Sequence, residues 1–326
     1  MRADVNGIGG FFELELPQAG QPYHRAPALT SGRACLGVHL DELKPSRVHV
    51  PFFVCDALLA PIRSRGLDVA FYPIDERFEP RAIDAAPSDV VVRIDYFGLR
   101  GDAACADRDT RTVWDFAQSF FTRPLAGVRA FNSARKWFGV PDGAFLFGAA
   151  CRPHAVNVDA PYDHLVNRLL GRQDAAFEQF QQSEARITDR PLGMSMLSAR
   201  LLDGIDYAAV AERRRSNFAR LAQRLDPINE LQLAPEAGAV PFCYPFLPWQ
   251  PIDRRRLHEV AIYVPTFWPE LTARSAVGFD FERRLAEQLL PLPIDHRIGP
   301  VECDRIVDVV LALCGNAVHS ATRGRA

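Results

Sequence analysis

The sequence predicts an α/β protein whose first half contains a mainly parallel sheet and whose second half forms a smaller α+β domain. Up to about residue 150, short apolar runs rich in β-branched and aromatic residues alternate with helical patterns. Such runs are typical of strands covered on both faces. Beyond that point, long helical patterns mix with a few short strands. With 326 residues, 48% of them hydrophobic, we place one domain at 1–185 and the other at 186–326.

The predicted strands of the first half are continuous apolar runs. They are RVHVPFFV (47–54), DVAFYPID (68–75), DVVVRIDYFG (89–98), TRTVWDFA (110–117), GVRAFNSA (127–134) and GAFLFGAA (143–150). Between the first two runs, CDALLAPIRSRG has the period of an amphipathic helix and ends at Gly66. A further short helix is predicted near 79–86. Strands that alternate with helices in this way favour parallel pairing.

The second half has a different pattern. Helical periodicity covers 160–186 and, as one long or two consecutive helices, 196–225. The remaining predicted elements are an extended Pro-rich region (232–251), a helix (252–260), the strand AIYVPTFW (261–268), a helix (280–290), the apolar segment LLPLPID (289–295) and a final helix (300–315).

Composition excludes several classes of function. The net charge of −2 does not indicate nucleic acid or an acidic membrane as partner. The seven cysteines form no CxxC pair and the histidines form no HExxH pair, so we expect neither a disulfide framework nor a metal site. The N-terminal segment lacks the pattern of a signal peptide, and a cytoplasmic protein is expected.

Lysine is the conspicuous residue of this chain. Only Lys44 and Lys136 occur, and all other residues among the 38 basic ones are arginine. An ammonium group can lose its proton and act as a nucleophile, whereas a guanidinium cannot. Lys44 precedes a proline in a polar stretch typical of a surface turn. Lys136 lies among aromatic residues beside Arg135, which predicts a buried, reactive amine, although chance retention remains an alternative.

Two further segments carry candidate site residues. Ser31, Gly32 and Arg33 stand at the start of a helical pattern, where free N–H groups and a guanidinium favour an anion such as phosphate. An ordinary helix N-cap is the alternative. Asp115 ends a predicted strand, and in a doubly wound sheet such ends face the ligand crevice. A carboxylate there requires a cationic partner, unless it only caps the next helix.

At these residues the sequence resembles the nucleotide-sugar aminotransferases of the DegT/DnrJ/EryC1/StrS family, a branch of the fold type I pyridoxal-phosphate enzymes. SGRACL resembles the family's phosphate loop, WDFAQS its DxAQ motif and FNSARK its lysine segment. Pro51 and Gly66 occupy characteristic places of its strand–helix–strand segment. The resemblance covers roughly residues 8–316 in the right order and suggests a compact, divergent branch.

The resemblance implies a fold type I large domain, with an N-terminal arm and a sheet of the seven-stranded type, and it implies pyridoxal 5'-phosphate as cofactor. Lys136 would bond covalently to the cofactor, Asp115 would pair with its pyridine nitrogen, and Gln118 would lie near its ring oxygen. The remaining implied contacts are to the phosphate and the ring. They involve Ser31, Gly32, Arg33 and Ser133 for the phosphate, and Cys55 with nearby Phe53 for the ring face.

The implied activity is transfer of an amino group from a glutamate-like amino acid to a keto-sugar nucleotide, in polysaccharide or deoxysugar biosynthesis, by a homodimer. A sugar dehydratase of the same superfamily typically has a histidine in place of Lys136. A non-catalytic, cofactor-binding regulator remains an alternative. A Rossmann-like enzyme is disfavoured because GIGG (7–10) precedes no strand–helix unit. RRRSNFAR (213–220) is interpreted as the solvated face of a helix.

Overall fold

A seven-stranded sheet forms the centre of the protein. The computed structural model describes residues 14–18, 20, 22–23, 25–102, 109–153 and 155–323. The strand order is β1-β7-β6-β5-β4-β2-β3. The strands are β1 (Ala28–Leu29), β2 (Arg47–Pro51), β3 (Asp68–Tyr72), β4 (Val90–Ile94), β5 (Thr112–Phe116), β6 (Arg129–Asn132) and β7 (Ala144–Phe147). Strands β2 to β6 are parallel, and β7 runs antiparallel to β6. The predicted fold class is confirmed.

Helices surround this sheet and form most of the second half. They are α1 (Gly32–Leu43), α2 (Asp56–Arg63), α3 (Asp163–Leu169), α4 (Gln173–Arg186), α5 (Met196–Asp203), α6 (Tyr207–Leu225), α7 (Arg254–Glu259), α8 (Asp280–Gln288) and α9 (Pro300–Arg323). The predicted helical stretch at 196–225 forms two helices. Gly204 follows the first of them, and the Asp206 side chain caps the second by accepting from the Ala209 N–H.

The second half adds a two-stranded antiparallel sheet of β8 (Tyr244–Phe246) and β9 (Leu290–Leu292). The long helix α6 packs against both α9 and β8. One buried apolar cluster continues from the seven-stranded sheet into these elements. The division at residue 185 stays a prediction. Among the described residues, no helix combines the length and the apolar character needed to cross a bilayer.

Two predicted elements are wrong. Residues 79–86 form no helix, because Pro80 pairs with Ile74 and the Arg81 N–H donates to the Pro73 carbonyl, which holds the chain extended. The predicted strand 261–268 is an irregular segment. Its ends, Ala261 and Trp268, have φ of 55° and 53°, which no strand accommodates.

Asp95, just beyond the end of β4, is a buried acid with incomplete hydrogen bonding. It is fully shielded from solvent, and its Oδ1 has no hydrogen-bond partner among the described residues. Burial raises the pKa of Asp95 to about 7. The pKa of Asp95 is higher in the folded state than in the unfolded state. Its contribution to the free energy of unfolding is therefore fully present below about pH 4 and is lost as pH rises through about 7.

Asp95→Asn is therefore expected to make the protein more stable than wild type at about pH 8 and to have a smaller effect at about pH 5. The amide stays neutral, so the variant does not bury a charge in alkaline solution. Urea unfolding at the two pH values measures the difference. Asp84→Asn, at an exposed position, controls for the loss of one negative charge. If Asp95→Asn changed the free energy of unfolding equally at both pH values, the raised pKa of Asp95 would be contradicted.

Candidate functional site

A small cavity of about 100 Å³ lies at the carboxyl ends of the parallel strands. Seven of the nine residues predicted from the sequence line it. They are Ser31, Gly32, Arg33, Cys55, Asp115, Ser133 and Lys136. These residues come from four separate segments, namely the start of α1, the residue before α2, the end of β5 and the turn after β6, and the sheet topology brings the segments together at one edge. Such an edge is where ligands bind in open α/β sheets.

Asp115 is the buried carboxylate of this cavity. Trp114 and Phe116, its neighbours on β5, pack together against one face of the sheet, so the alternation of the strand turns Asp115 to the opposite face. Its side chain is 7% exposed, and Oδ1 accepts the Ala117 N–H at 2.7 Å. Burial raises the pKa of Asp115, while the nearby charge of Lys136 opposes that rise. The site thus presents an acid that a cation would stabilise as carboxylate.

Lys136 ends a short 3₁₀ turn, Ala134–Lys136, that follows β6. The next residue, Trp137, is buried, and its indole N–H donates to the Ala117 carbonyl at 3.1 Å. Ala117 therefore holds both loops, because its N–H binds Asp115 and its carbonyl binds the residue after Lys136. This link holds the Asp115 carboxylate and the loop that carries Lys136 at the same cavity.

The prediction that Lys136 is buried is wrong for the single chain, in which its side chain is exposed. The aromatic residues that suggested burial, Trp137 and Phe138, turn into the core. Lys136 instead points to the junction of the small cavity with a second one of about 430 Å³, since both cavities share Arg135 and Lys136. The amine is thus accessible to molecules that enter from either side.

Ser31 and Gly32 form the N-terminal end of α1. Ser31 is the N-cap, as the alternative interpretation stated, since its hydroxyl accepts from the Ala34 N–H and donates to the Thr188 carbonyl. A Cβ at Gly32 would lie 3.0 Å from the ring of Phe131, so glycine allows the helix to approach the sheet closely. The residues at the start of α1 therefore also form part of the cavity wall.

Two arginines meet in the cavity wall around one carboxylate. Arg33 and Arg135 both form ion pairs with Glu184 of α4, the Arg33 contact at 3.7 Å. Burial, together with the charge of Arg33, lowers the pKa of Arg135 to about 10. Burial also lowers the pKa of Arg33. The pair forms a concentrated positive patch that attracts anions. Glu184 is not among the predicted site residues, because it lies about 150 positions from Arg33 along the chain.

The other two predicted site residues lie behind the cavity. Among the described residues that line it, Cys55 is included but Phe53 and Gln118 are not. Phe53 is fully buried against Tyr96 and Trp268 because β2 ends before it and the chain turns it into the core. The Gln118 amide oxygen accepts the Phe97 N–H at 2.9 Å. The structure thus corrects the contacts expected of Phe53 and Gln118, whose positions support the wall instead.

Comparison with solved structures gives the fold a context. Sugar aminotransferase CalS13 from Micromonospora echinospora superposes with a TM-score of 0.61 at 18% identity, covering 90% of this chain and 88% of that one. A DegT DnrJ EryC1 StrS aminotransferase from Brucella abortus gives 0.61 at 17% identity, covering 89% and 86%. The chain has the fold of these aminotransferases.

A third neighbour carries a cofactor. NtdA from Bacillus subtilis, solved with bound cofactor PMP, superposes with a TM-score of 0.61 at 14% identity, covering 89% of this chain and 73% of that one. No family model and no curated protein matches the sequence. The shared fold extends over nearly the whole chain, as the sequence resemblance implied, although identity is low.

Proposed function

We propose that this protein is a pyridoxal-phosphate-dependent aminotransferase. The observation that carries the proposal is the joining of Asp115 and Lys136 in one cavity through the two hydrogen bonds of Ala117. A buried carboxylate and an accessible amine are the groups needed to hold a protonated pyridine ring and to bond to its aldehyde. The structural neighbours, described as aminotransferases, support the same proposal.

The residues of the cavity fit this cofactor. The hydrogen bond that the buried Asp115 carboxylate accepts comes from a backbone N–H and not from a cation. A protonated ring nitrogen would supply the cationic donor that this carboxylate needs. Arg33 and Arg135 already hold an anion, the Glu184 carboxylate, at the N-terminal end of α1. That carboxylate stands in for a phosphate, whose charge both guanidiniums and the helix dipole would stabilise. Ser133 lines the same wall and adds a hydroxyl.

Each residue then has a defined task. When bound, the cofactor supplies an aldehyde that carries the amino group and a ring that withdraws electrons. Lys136 holds the cofactor and, when released, moves the proton at the substrate carbon as general base and acid. Asp115 keeps the ring nitrogen charged through its carboxylate. Arg33 and Arg135 orient the phosphate end, which fixes the reacting atoms relative to Lys136.

We further propose a glutamate-like amino donor and a keto-sugar nucleotide acceptor, in polysaccharide or deoxysugar biosynthesis. The names of the structural neighbours and the larger cavity beside Lys136 support a sugar-sized acceptor. The test is the visible absorbance of the purified protein with pyridoxal phosphate, followed by addition of glutamate. We expect a visible band that glutamate discharges and a keto acceptor restores. If the purified protein does not bind pyridoxal phosphate, the proposal is wrong.

We also propose that two copies of this chain associate. Helices α3 and α4 pack against each other and leave an apolar face outward, formed by Val166, Leu169, Leu170 and Phe177. Apolar patches of this kind mark interaction sites. Phe180 of α4 lines the larger cavity, so a second copy on this face would lie beside Lys136.

Leu169→Asp is expected to raise the dissociation constant of the dimer at least about tenfold, because a two-fold interface loses the side chain twice. Leu169 is 85% exposed in the single chain, so its own folding should change little. Sedimentation velocity measures the effect. Val277→Asp, at a 98% exposed position, is the matched control. A monomeric wild type, or equal association by both variants, would refute the interface.

A further inference from the structure

Arg214 is a buried arginine in the middle of a helix. The segment RRRSNFAR was interpreted as solvated, and that is wrong for Arg214, which is 2% exposed, whereas Arg213 and Arg215 beside it are exposed. On α6 the buried positions Val210, Arg214, Asn217 and Leu221 recur at intervals of three and four. The helical period therefore turns this one guanidinium inward.

The guanidinium is held firmly beside the lysine loop. Its Cζ lies 4.3 Å from the ring centroid of Trp137, the residue that follows Lys136. Nη1 donates to the carbonyls of Phe242 at 2.9 Å and Pro241 at 3.3 Å. Trp137 itself is fixed by its hydrogen bond to Ala117. Arg214 thus has a defined position relative to the loop that carries Lys136.

The partners of the Arg214 guanidinium are neutral groups. Among the described residues it forms no ion pair, and its buried Nε has no hydrogen-bond acceptor. Asp295 is the nearby acid, but its carboxylate binds Arg297 through two hydrogen bonds at 2.7 and 3.0 Å. Burial lowers the pKa of Arg214 to about 10. A buried cation whose contacts are all to neutral groups is costly for a fold, so its retention points to an anion that arrives with a ligand.

Arg214 lines the cavity of about 430 Å³ that opens at Lys136. The wall near it is largely apolar and aromatic, with Phe242 and Phe267, while His296 and Arg297 add polar groups. Apolar walls with a few fixed polar groups are typical of sites for small molecules. A small organic acid fits this combination of a buried cation without an acidic partner and a largely apolar wall.

We propose that Arg214 binds the α-carboxylate of the amino-acid donor. The inference rests on the proposed function, because it takes Lys136 as the group that moves the proton. An α-carboxylate lies one bond from the carbon that carries that proton, so its receptor must lie next to the lysine loop. The diphosphate of a nucleotide is separated from the reacting carbon by a sugar ring and needs a more open surface than a 2% exposed guanidinium offers.

The test compares Arg214→Gln, Arg214→Lys and the neighbouring Arg213→Gln as matched control, each saturated with cofactor. We expect Arg214→Gln to raise KM for glutamate by about 10- to 100-fold, the range for a hydrogen bond between charged groups. Arg214→Lys should fall between it and wild type, since it keeps the charge but not the planar fork. Arg213→Gln should match wild type. KM for the keto-sugar acceptor should rise less than KM for glutamate in both Arg214 variants, because the reacting end of the acceptor has no α-carboxylate, and it should not change in Arg213→Gln.

A binding measurement separates this inference from the proposed function. Glutarate, a dicarboxylate without an amino group, is titrated calorimetrically into wild type and each variant. Weaker binding to both Arg214 variants, with unchanged binding to Arg213→Gln, supports the carboxylate site even if no transamination occurs. Equal glutarate affinity in Arg214→Lys and wild type, or a KM increase confined to the acceptor, would overturn it. If Arg214→Gln does not fold, the lysine variant carries the comparison.

Discussion

Replacing Lys136 with Ala is expected to lower the rate of transamination by at least about 10⁴-fold and to remove the visible absorbance of the bound cofactor. The variant loses both the amine that bonds to the cofactor and the base that moves the proton, and general acid–base catalysis alone contributes about 10²–10⁴-fold. Steady-state rates and absorbance spectra of the variant measure the two losses. Helix and sheet content should not change, because the Lys136 side chain is exposed.

Lys44→Arg is the matched control for this experiment, because Lys44 is the only other lysine of the chain. It lies at the end of α1, is exposed, and has a left-handed backbone with φ of 45°. Arginine keeps its charge, so this variant should retain wild-type rate and spectrum. A Lys136→Ala protein that still transaminates at more than about a hundredth of the wild-type rate would exclude Lys136 from the role assigned to it.

Asp115→Asn is expected to lower kcat by about 10²–10⁴-fold while the protein still folds. Removing one partner of a buried ion pair costs about 3–5 kcal/mol, and each 1.36 kcal/mol is a factor of ten in rate. The amide cannot keep the ring nitrogen charged, so the ring withdraws electrons less strongly. Stopped-flow measurement of the glutamate half-reaction isolates this step from acceptor binding.

Asp95→Asn provides the control for that variant. Asp95 is as buried as Asp115 and follows the adjacent strand β4, whose Ile94 is paired with Asp115. It is not among the residues that line the cavity. Its replacement should change kcat by less than about threefold. Equal losses in the two variants would show that any buried acid at this edge affects the rate through stability, and would remove the special role of Asp115.

The sheet and the two central site residues, Asp115 and Lys136, could be predicted from the sequence for physical reasons. Strands buried on both faces are continuous apolar runs, and β2, β4, β5 and β6 each lie within such a run. Asp115 lies next to the last residue of β5, and Lys136 lies in the short turn that follows β6. Because carboxyl ends of parallel strands share one edge, that placement alone brings the two side chains together.

Other features depend on contacts between distant parts of the chain. Glu184 meets Arg33 and Arg135 only through the packing of α4 against the sheet edge. Phe53 follows a strand and is aromatic, but the neighbouring rings of Tyr96 and Trp268 decide that it is core. Arg214 is different, since the spacing of its buried neighbours on α6 contained the signal. Because Arg214 lies between two exposed arginines, its inward position is not evident from charge alone.

The most direct test of the central claim is to identify which residue carries the cofactor. The protein is incubated with pyridoxal phosphate, reduced with borohydride to make any bond to an amine permanent, digested and analysed by mass spectrometry. The account predicts the cofactor mass on the peptide that contains Lys136 after reduction. In samples that were not reduced, whether wild type or Asp115→Asn, that peptide should carry no added mass. Label on Lys44 alone, or no label on any peptide, would contradict it.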